Sequence, residues 1–315
     1  MQSLKRLFSL TVIIGGMFVF AIKTDGTTEI PLLRFSVMSD IHISAKDRES
    51  HTRFVKALRD HLKINPNSSL LVLNGDLTNG KEEDYRMLDA LSGKVLHPPI
   101  HATIGNHEYY KLWIFENKSL RLNPDWSSEQ AKNLFQNSFG YSKPYHHLWL
   151  NGCHFIFLGS ERYRDVDRSV SENAFLSVAQ LSWLTERLQE KPSALYGKEP
   201  FPIFVFLHQP LFQTVDGSES RLGVVQFKQL QELLQQYPDL ILFSGHTHMD
   251  LVTTRQLVYK GFYSVGTGAI RKVKSHSKRS ESLVVEVYRK RIIIKYREHS
   301  TKRWIYPNKS VYYGS

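Results

Sequence analysis

Short apolar runs that end in polar clusters punctuate this chain. Residues 32–38 run into Ser39-Asp40-Ile41-His42, residues 70–73 into Asn74-Gly75-Asp76, and residues 100–104 into Gly105-Asn106-His107-Glu108. Farther on, residues 203–207 end at His208, and residues 240–243 at Ser244-Gly245-His246-Thr247-His248. Apolar runs this short, bounded by turn residues, predict buried strands. Between them apolar residues recur at helical spacing: Phe54, Leu58 and Leu62, then Leu181, Leu184 and Leu188, then Phe227, Leu230 and Leu234. Strand and helix in alternation predict an α/β layered fold. Beyond residue 250 the runs 251–259, 261–265, 283–287 and 292–296 predict consecutive strands. The expected architecture is a four-layer α/β (α+β) sandwich, with two mixed β-sheets face to face and helices outside. Residues 109–145 and 211–222 lack clear periodicity and are expected to be loop insertions near the site, because long loops in compact domains are often functional.

The N-terminus has its own pattern. Lys5 and Arg6 precede an uncharged, mostly apolar run over residues 7–22. A positive flank followed by such a run matches a secretory signal, and the run is slightly short of the ~20 residues of a full span. Val19-Phe20-Ala21 offers a cleavage site after Ala21, and a retained anchor is the alternative. The expectation is a signal peptide or membrane anchor with its linker over residues 1–30. One large domain over residues 31–315 would then lie outside the cytoplasm.

Composition adds little to the fold and something to the partners. Of 315 residues, 41% are hydrophobic, enough for a sizeable core and against general disorder. The single cysteine, Cys153, excludes an intrachain disulfide and a cysteine-based zinc cluster, and it reads as a small core residue in a strand. The formal charge is +11, and residues 271–303 hold twelve Lys/Arg against three Glu. Such a segment favours anionic partners, among them phosphorylated substrates, acidic lipids and anionic polymers; a solvated basic face is the bland alternative. No specific nucleic-acid-binding motif stands in the sequence.

The chemistry sits at the strand ends. Ligand sites in α/β folds gather there, because the loops leaving the strands converge. In order the ends supply Asp-x-His, Gly-Asp, Gly-Asn-His-Glu, a lone His and Gly-His-Thr-His. Imidazole, carboxylate and amide donors without thiolate suit Mn, Fe or Zn. Seven candidate ligands exceed one tetrahedral ion and suit two ions that share a carboxylate. Two such ions about 3.5–4 Å apart can clamp an in-line displacement at phosphorus and lower the pKa of a shared water, the expected nucleophile.

Asp40-Ile41-His42, Gly75-Asp76, Gly105-Asn106-His107-Glu108, His208 and Gly245-His246-Thr247-His248 stand together in an order that resembles the calcineurin-like metallophosphoesterases. The resemblance spans roughly residues 33–270. It implies two divalent transition-metal ions, one on Asp40, His42 and His248 and one on Asn106, His208 and His246, with Asp76 bridging. It also implies that His107 is no ligand but faces the substrate, to protonate the leaving oxygen or steady the transition state. Glu108 would orient His107 from behind, with solvent exposure as its alternative. Two departures argue against two subfamilies. Asp76 is followed by Leu77-Thr78-Asn79-Gly80, not by the Arg-containing signature of Ser/Thr protein phosphatases, and Asn79 stands where purple acid phosphatases place a tyrosine ligand.

The other histidines are read as bystanders, although His146 or His147 could line the substrate cleft; Tyr109 and Tyr110 could shape it too, with core or surface packing as the preferred reading for both. The expected function is metal-dependent hydrolysis of a phosphomonoester or phosphodiester. The alternative is an inactive relative serving as an envelope scaffold or as an anionic-polymer binder.

Overall fold

The computed structural model describes residues 29–116, 118–196, 201–219 and 223–314. The expected signal or anchor falls almost wholly outside them. Among the described residues no helix is long and apolar enough to cross a membrane.

Residues Pro31–Ser315 make one compact unit. In chain order its first half contains β1 (Leu33–Met38), α1 (Arg48–Ile64), β2 (Leu70–Asn74), α2 (Glu82–Ser92), β3 (Ile100–Thr103), β4 (Trp113–Glu116), β5 (Ser119–Leu122), α3 (Ser128–Phe139), β6 (His146–Leu150) and β7 (Cys153–Phe157). The second half contains α4 (Val178–Gln189), β8 (Ile203–Phe206), α5 (Phe227–Leu234), β9 (Ile241–Ser244), β10 (Leu257–Tyr259), β11 (Tyr263–Gly266), β12 (Glu281–Tyr288), β13 (Arg291–Glu298) and β14 (Arg303–Tyr312).

Two six-stranded mixed sheets result, in the orders β14-β13-β12-β1-β2-β3 and β10-β11-β9-β8-β7-β6. Strands β1, β2 and β3 run parallel, as do β7, β8, β9 and β11. Parallel strands are covered on both faces and so read as unbroken apolar runs. The inner faces meet through Phe35, Phe155, Phe204, Phe206 and Phe243, all fully buried. Phe35 stands edge-on to Phe155 and Phe204 at centroid distances of 5.1 and 5.0 Å, a favoured aromatic geometry. The outer face of the first sheet, with Leu71, Leu73 and Ala102, packs against Phe54 and Leu58 of α1 and Leu88 of α2. The outer face of the second, with Val205 and Leu242, packs against Leu184 of α4 and Leu230 of α5. This is the expected four-layer sandwich.

Three expectations need correction. Residues 109–145 are not one loop but a 3-10 helix (His107–Leu112), the β4–β5 hairpin and α3. Of residues 251–259 only β10 is strand, because Asp250 accepts from Val252 and Thr253 N–H and turns the chain there. The final strand β14 had no counterpart among the expected runs.

Candidate metal centre

The candidate ligands all follow the carboxyl ends of strands: Asp40 and His42 after β1, Asp76 after β2, Asn106 after β3, His208 after β8, His246 and His248 after β9. Asp40, His42, Asp76 and His248 bring one donor atom each within 4.8 Å of one another, and so do Asp76, His208 and His246. Asp76 belongs to both groups. Asn106 adjoins the second, its Oδ1 lying 3.0 Å from His246 Nδ1. His248 Nε2 lies 3.0 Å from Asp40 Oδ1 and 3.1 Å from His42 Nε2. His208 Nε2 lies 3.2 Å from Asp76 Oδ1.

The backbone is bent to achieve this. Asp40, His42, Asp76, His246 and His248 have φ of 53, 51, 52, 66 and 52°. Non-glycine residues seldom occupy this region, and such strain persists where the surroundings enforce it, often at functional sites. Close approach also dictates glycine. Gly75 has φ +79°, and a side chain there would strike the His208 ring; one at Gly105 would strike the Asp76 carboxylate.

The ring nitrogens are prepared for a cation. His208 donates from Nδ1 to the Asn74 carbonyl at 2.8 Å, which leaves a lone pair on Nε2. That nitrogen is buried without a hydrogen-bond partner, yet it faces Asp76. His248 repeats the arrangement, with Nδ1 donating to the Lys272 carbonyl at 2.9 Å. Metal-ligating histidines are fixed in this way by what the other nitrogen bonds. Without a cation, the two buried carboxylates recruit protons to the rings. Burial opposes a charged His208, but Asp76 and Asp40 outweigh it and lift its pKa to about 10. Burial opposes a charged His248 as well, and Asp40 lifts it to about 9. Positive charge is therefore in demand at this spot, and the nitrogen and oxygen donors fit two divalent cations.

His107 lies beside this centre. Its N–H donates to Asp76 Oδ1 at 2.9 Å, and its ring stacks on Tyr110 at 3.8 Å. Burial lowers the ring's pKa, while the Asp76 charge raises it. The side chain keeps 26% exposure, so it reaches the space open to a substrate.

Glu108 is neither behind the His107 ring nor in solvent. It is fully buried and accepts the N–H groups of Asp76, Leu77, Thr78 and Gly105 at 3.0, 2.9, 2.9 and 2.7 Å. It therefore holds the loop that carries Asp76. Asn79 takes the place expected of Glu108, its Oδ1 lying 3.0 Å from His107 Nδ1. Asn74 and Glu172 also escaped the sequence reading. Asn74 accepts from His208 and donates from Nδ2 to the Phe243 carbonyl at 3.2 Å, which links the two sheets. Glu172 accepts from Asn106 Nδ2 at 2.9 Å, so the amide oxygen of Asn106 faces the cluster. Position in the Asn74-Gly75-Asp76 and Thr78-Asn79-Gly80 turns was the available signal for the two asparagines; Glu172 had none.

Of the residues considered for a substrate cleft, Tyr110 stacks on His107 beside the centre, whereas Tyr109 is buried against Tyr163. His146 stacks on Phe157, and His147 faces His154.

The calcineurin-like phosphoesterase family model matches residues 33–250. No curated protein matches the sequence. Among solved structures, a dimetal phosphatase from Danio rerio is 14% identical with a TM-score of 0.61, over 90% of this chain and 99% of that one. A purple acid phosphatase from yellow lupin (Lupinus luteus) seeds is 13% identical with a TM-score of 0.59, over 89% of this chain and 53% of that one. GAP50, described as the anchor in the inner membrane complex of Plasmodium, is 14% identical with a TM-score of 0.52, over 89% of this chain and 88% of that one. At these identities the structures speak for the fold alone, while the family match spans more than half of the chain. With its five donor segments converging at the ends of two facing sheets, this chain belongs to the calcineurin-like phosphoesterases, metal-dependent hydrolases of phosphoric esters.

Proposed function

We propose that Asp40, His42 and His248 hold one divalent cation, that Asn106, His208 and His246 hold a second, and that Asp76 bridges them. The observation that carries this reading is the pair of donor clusters sharing Asp76. When bound, two such ions supply charge for the phosphoryl oxygens and activate water for in-line attack. The protein supplies the rest. Asp40 and Asp76 set the charge balance, so that two divalent cations leave net positive charge facing the ester. Glu108 fixes the Asp76 loop through four N–H groups, and Glu172 fixes Asn106. His107, held through Nδ1–H by Asn79 and stacked on Tyr110, presents its ring edge to the ester oxygen that leaves, and in its protonated form serves there as proton donor or hydrogen-bond donor through Nε2. No serine or cysteine nucleophile is needed, and Cys153 is buried in β7 with its thiol pushed up to about 12 by burial.

The substrate on this reading is a phosphorylated small molecule or an anionic polymer, and the domain works outside the cytoplasm behind an N-terminal signal or anchor. A purely structural role, as the description of the Plasmodium protein gives for that one, would leave seven converging donors without a task. The test combines metal analysis with turnover of p-nitrophenyl phosphate and bis-p-nitrophenyl phosphate in Mn2+. About two ions per chain bound at this centre are expected. His107→Gln should lower kcat about 10²–10⁴-fold with those ions retained. Loss of the ions in that variant, or unchanged kcat, would remove the role given to His107.

A further inference from the structure

A second set of metal-type donors lies away from the centre just described. His147 in β6, His154 in β7 and Glu190 after α4 each bring one donor atom within 4.8 Å of the other two. His147 Nδ1 and His154 Nε2 are 2.9 Å apart, and Glu190 Oε2 is 3.6 Å from the first and 3.8 Å from the second. A triangle with those sides has a circumscribed circle of radius about 2.0 Å. One point therefore lies at the usual Zn–N and Zn–O distance, about 2.0–2.2 Å, from all three atoms. A simple ring-to-ring hydrogen bond would explain the shortest side alone. It leaves Glu190 Oε2 beyond hydrogen-bond reach of both rings, with only a long contact of 3.4 Å from Trp149 Nε1.

The surroundings suit a cation. Arg187 holds the other oxygen of Glu190 at 2.8 Å, which turns Oε2 toward the rings. Trp149 stacks on His154 at 4.0 Å and walls one side. Burial lowers the pKa of His147 and brings that of His154 to about 3, so both rings are neutral at neutral pH, and the tautomers with protons on His147 Nε2 and His154 Nδ1 turn lone pairs to the site. Glu190 caps the C-terminal end of α4, where the helix dipole favours positive charge. His154 is 1% exposed, whereas His147 and Glu190 are 27% and 30% exposed, so a fourth coordination position opens to solvent. His154 pairs with Ile203, the first residue of β8, while His208 follows the last. At about 3.3 Å per residue the two sites are roughly 16 Å apart along the strands.

We propose that His147, His154 and Glu190 form a separate three-ligand site for one zinc-class divalent cation, which ties the edge strand β6 to the end of α4. The test is Zn2+ binding to the full chain by equilibrium dialysis, with His147→Phe and Glu190→Gln as variants. Each should bind one ion fewer per chain than the parent, or bind that ion at least tenfold more weakly, with unchanged turnover of p-nitrophenyl phosphate. Asp76→Asn should keep this ion, and adding His147→Phe should then remove it. The comparison is a difference between paired chains, so it does not depend on how many ions the Asp76 centre takes. Equal Zn2+ binding by the parent and both variants would overturn the proposal.

Discussion

The candidate ligands of the centre were legible residue by residue because all but the lone His208 arrive inside a short local motif. Asp40, His42, Asp76, Asn106, His208, His246 and His248 lie where apolar runs stop, and a strand end is visible in a single window of sequence. The partners that hold Asn106 and His107 could not be matched to them from sequence, because they are distant in the chain: Glu172 is 66 positions from Asn106 and Asn79 is 28 from His107. Hydrogen-bond order alone also misleads. Ser282 Oγ lies 2.7 Å from His299 Nε2, and His299 Nδ1 lies 2.8 Å from Asp60 Oδ2, the succession of a hydrolytic triad. Ser282 is fully buried, so no substrate can reach it. Asn79 carries a prediction of its own. Asn79→Ala removes the acceptor that fixes the His107 ring, and misplacement of a catalytic group by about 1 Å can cost around 10²-fold. We expect kcat to fall at least tenfold with metal content unchanged, and Asn79→Asp to recover much of it. Equal kcat in Asn79→Ala and the parent would end the assignment.

At the scale of elements, strands in the core were readable and short or capped pieces were not. α3 was hidden because its apolar stripe is sparse, although Ser127 and Gln130 form a capping box and Gly140 closes the helix at φ 72°. β14 carries Pro307 and many exposed positions, as an edge strand tolerates, so no apolar run announced it. Helix α1 shows how elements are pinned together. Its Asp60 accepts from Arg297 Nε and Nη2 at 2.7 and 2.9 Å and from His299, while His61 meets Ser282 Oγ at 2.7 Å. This network joins α1 to β12, β13 and the turn after it. Burial opposes the Asp60 charge, but the bonds from His299 and Arg297 outweigh it and hold the carboxyl well below its usual range. A depressed folded-state pKa gives stability that is present above the unfolded value of about 3.9 and lost as pH falls below it. Removing one partner of such a buried pair costs about 3–5 kcal/mol. Asp60→Ala should therefore lower the urea midpoint at pH 7, and the gap between parent and variant should narrow as pH drops below about 4. A gap that holds constant down to pH 2 would show that the Asp60 charge is not what stabilises the network.

For the molecule as a whole, the basic segment reads differently in three dimensions than along the chain. Arg271 pairs with Asp47 and Glu49, Lys295 with Glu286, and Arg297 with Asp60, so part of the charge over residues 271–303 is matched by carboxylates of the same chain. The facing of the two sheets was legible as a class, from alternating elements, but not the pairing of the two halves of the site. Asp40, His42, Asp76 and Asn106 come from the first sheet, and His208, His246 and His248 from the second. Cations held between them would bind the folded chain and not the unfolded one, and would fasten one sheet to the other. Each site filled at a hundredfold excess over its Kd adds about 2.7 kcal/mol. Two such sites add about 5 kcal/mol, and at an unfolding entropy of about 2.1 cal/mol/K per residue the midpoint of a unit this long shifts by about 8 °C. Mn2+ is the ion to use, because the His147 site with its two imidazoles favours zinc over an oxygen-seeking ion. Thermal unfolding should therefore give a midpoint that Mn2+ raises and a chelator lowers. His107→Gln should keep that difference, and Asp76→Asn, which alters the carboxylate proposed to bridge both ions, should lose most of it. An equal Mn2+ shift in the parent and in Asp76→Asn would mean that the ion stabilises the protein somewhere other than between its sheets.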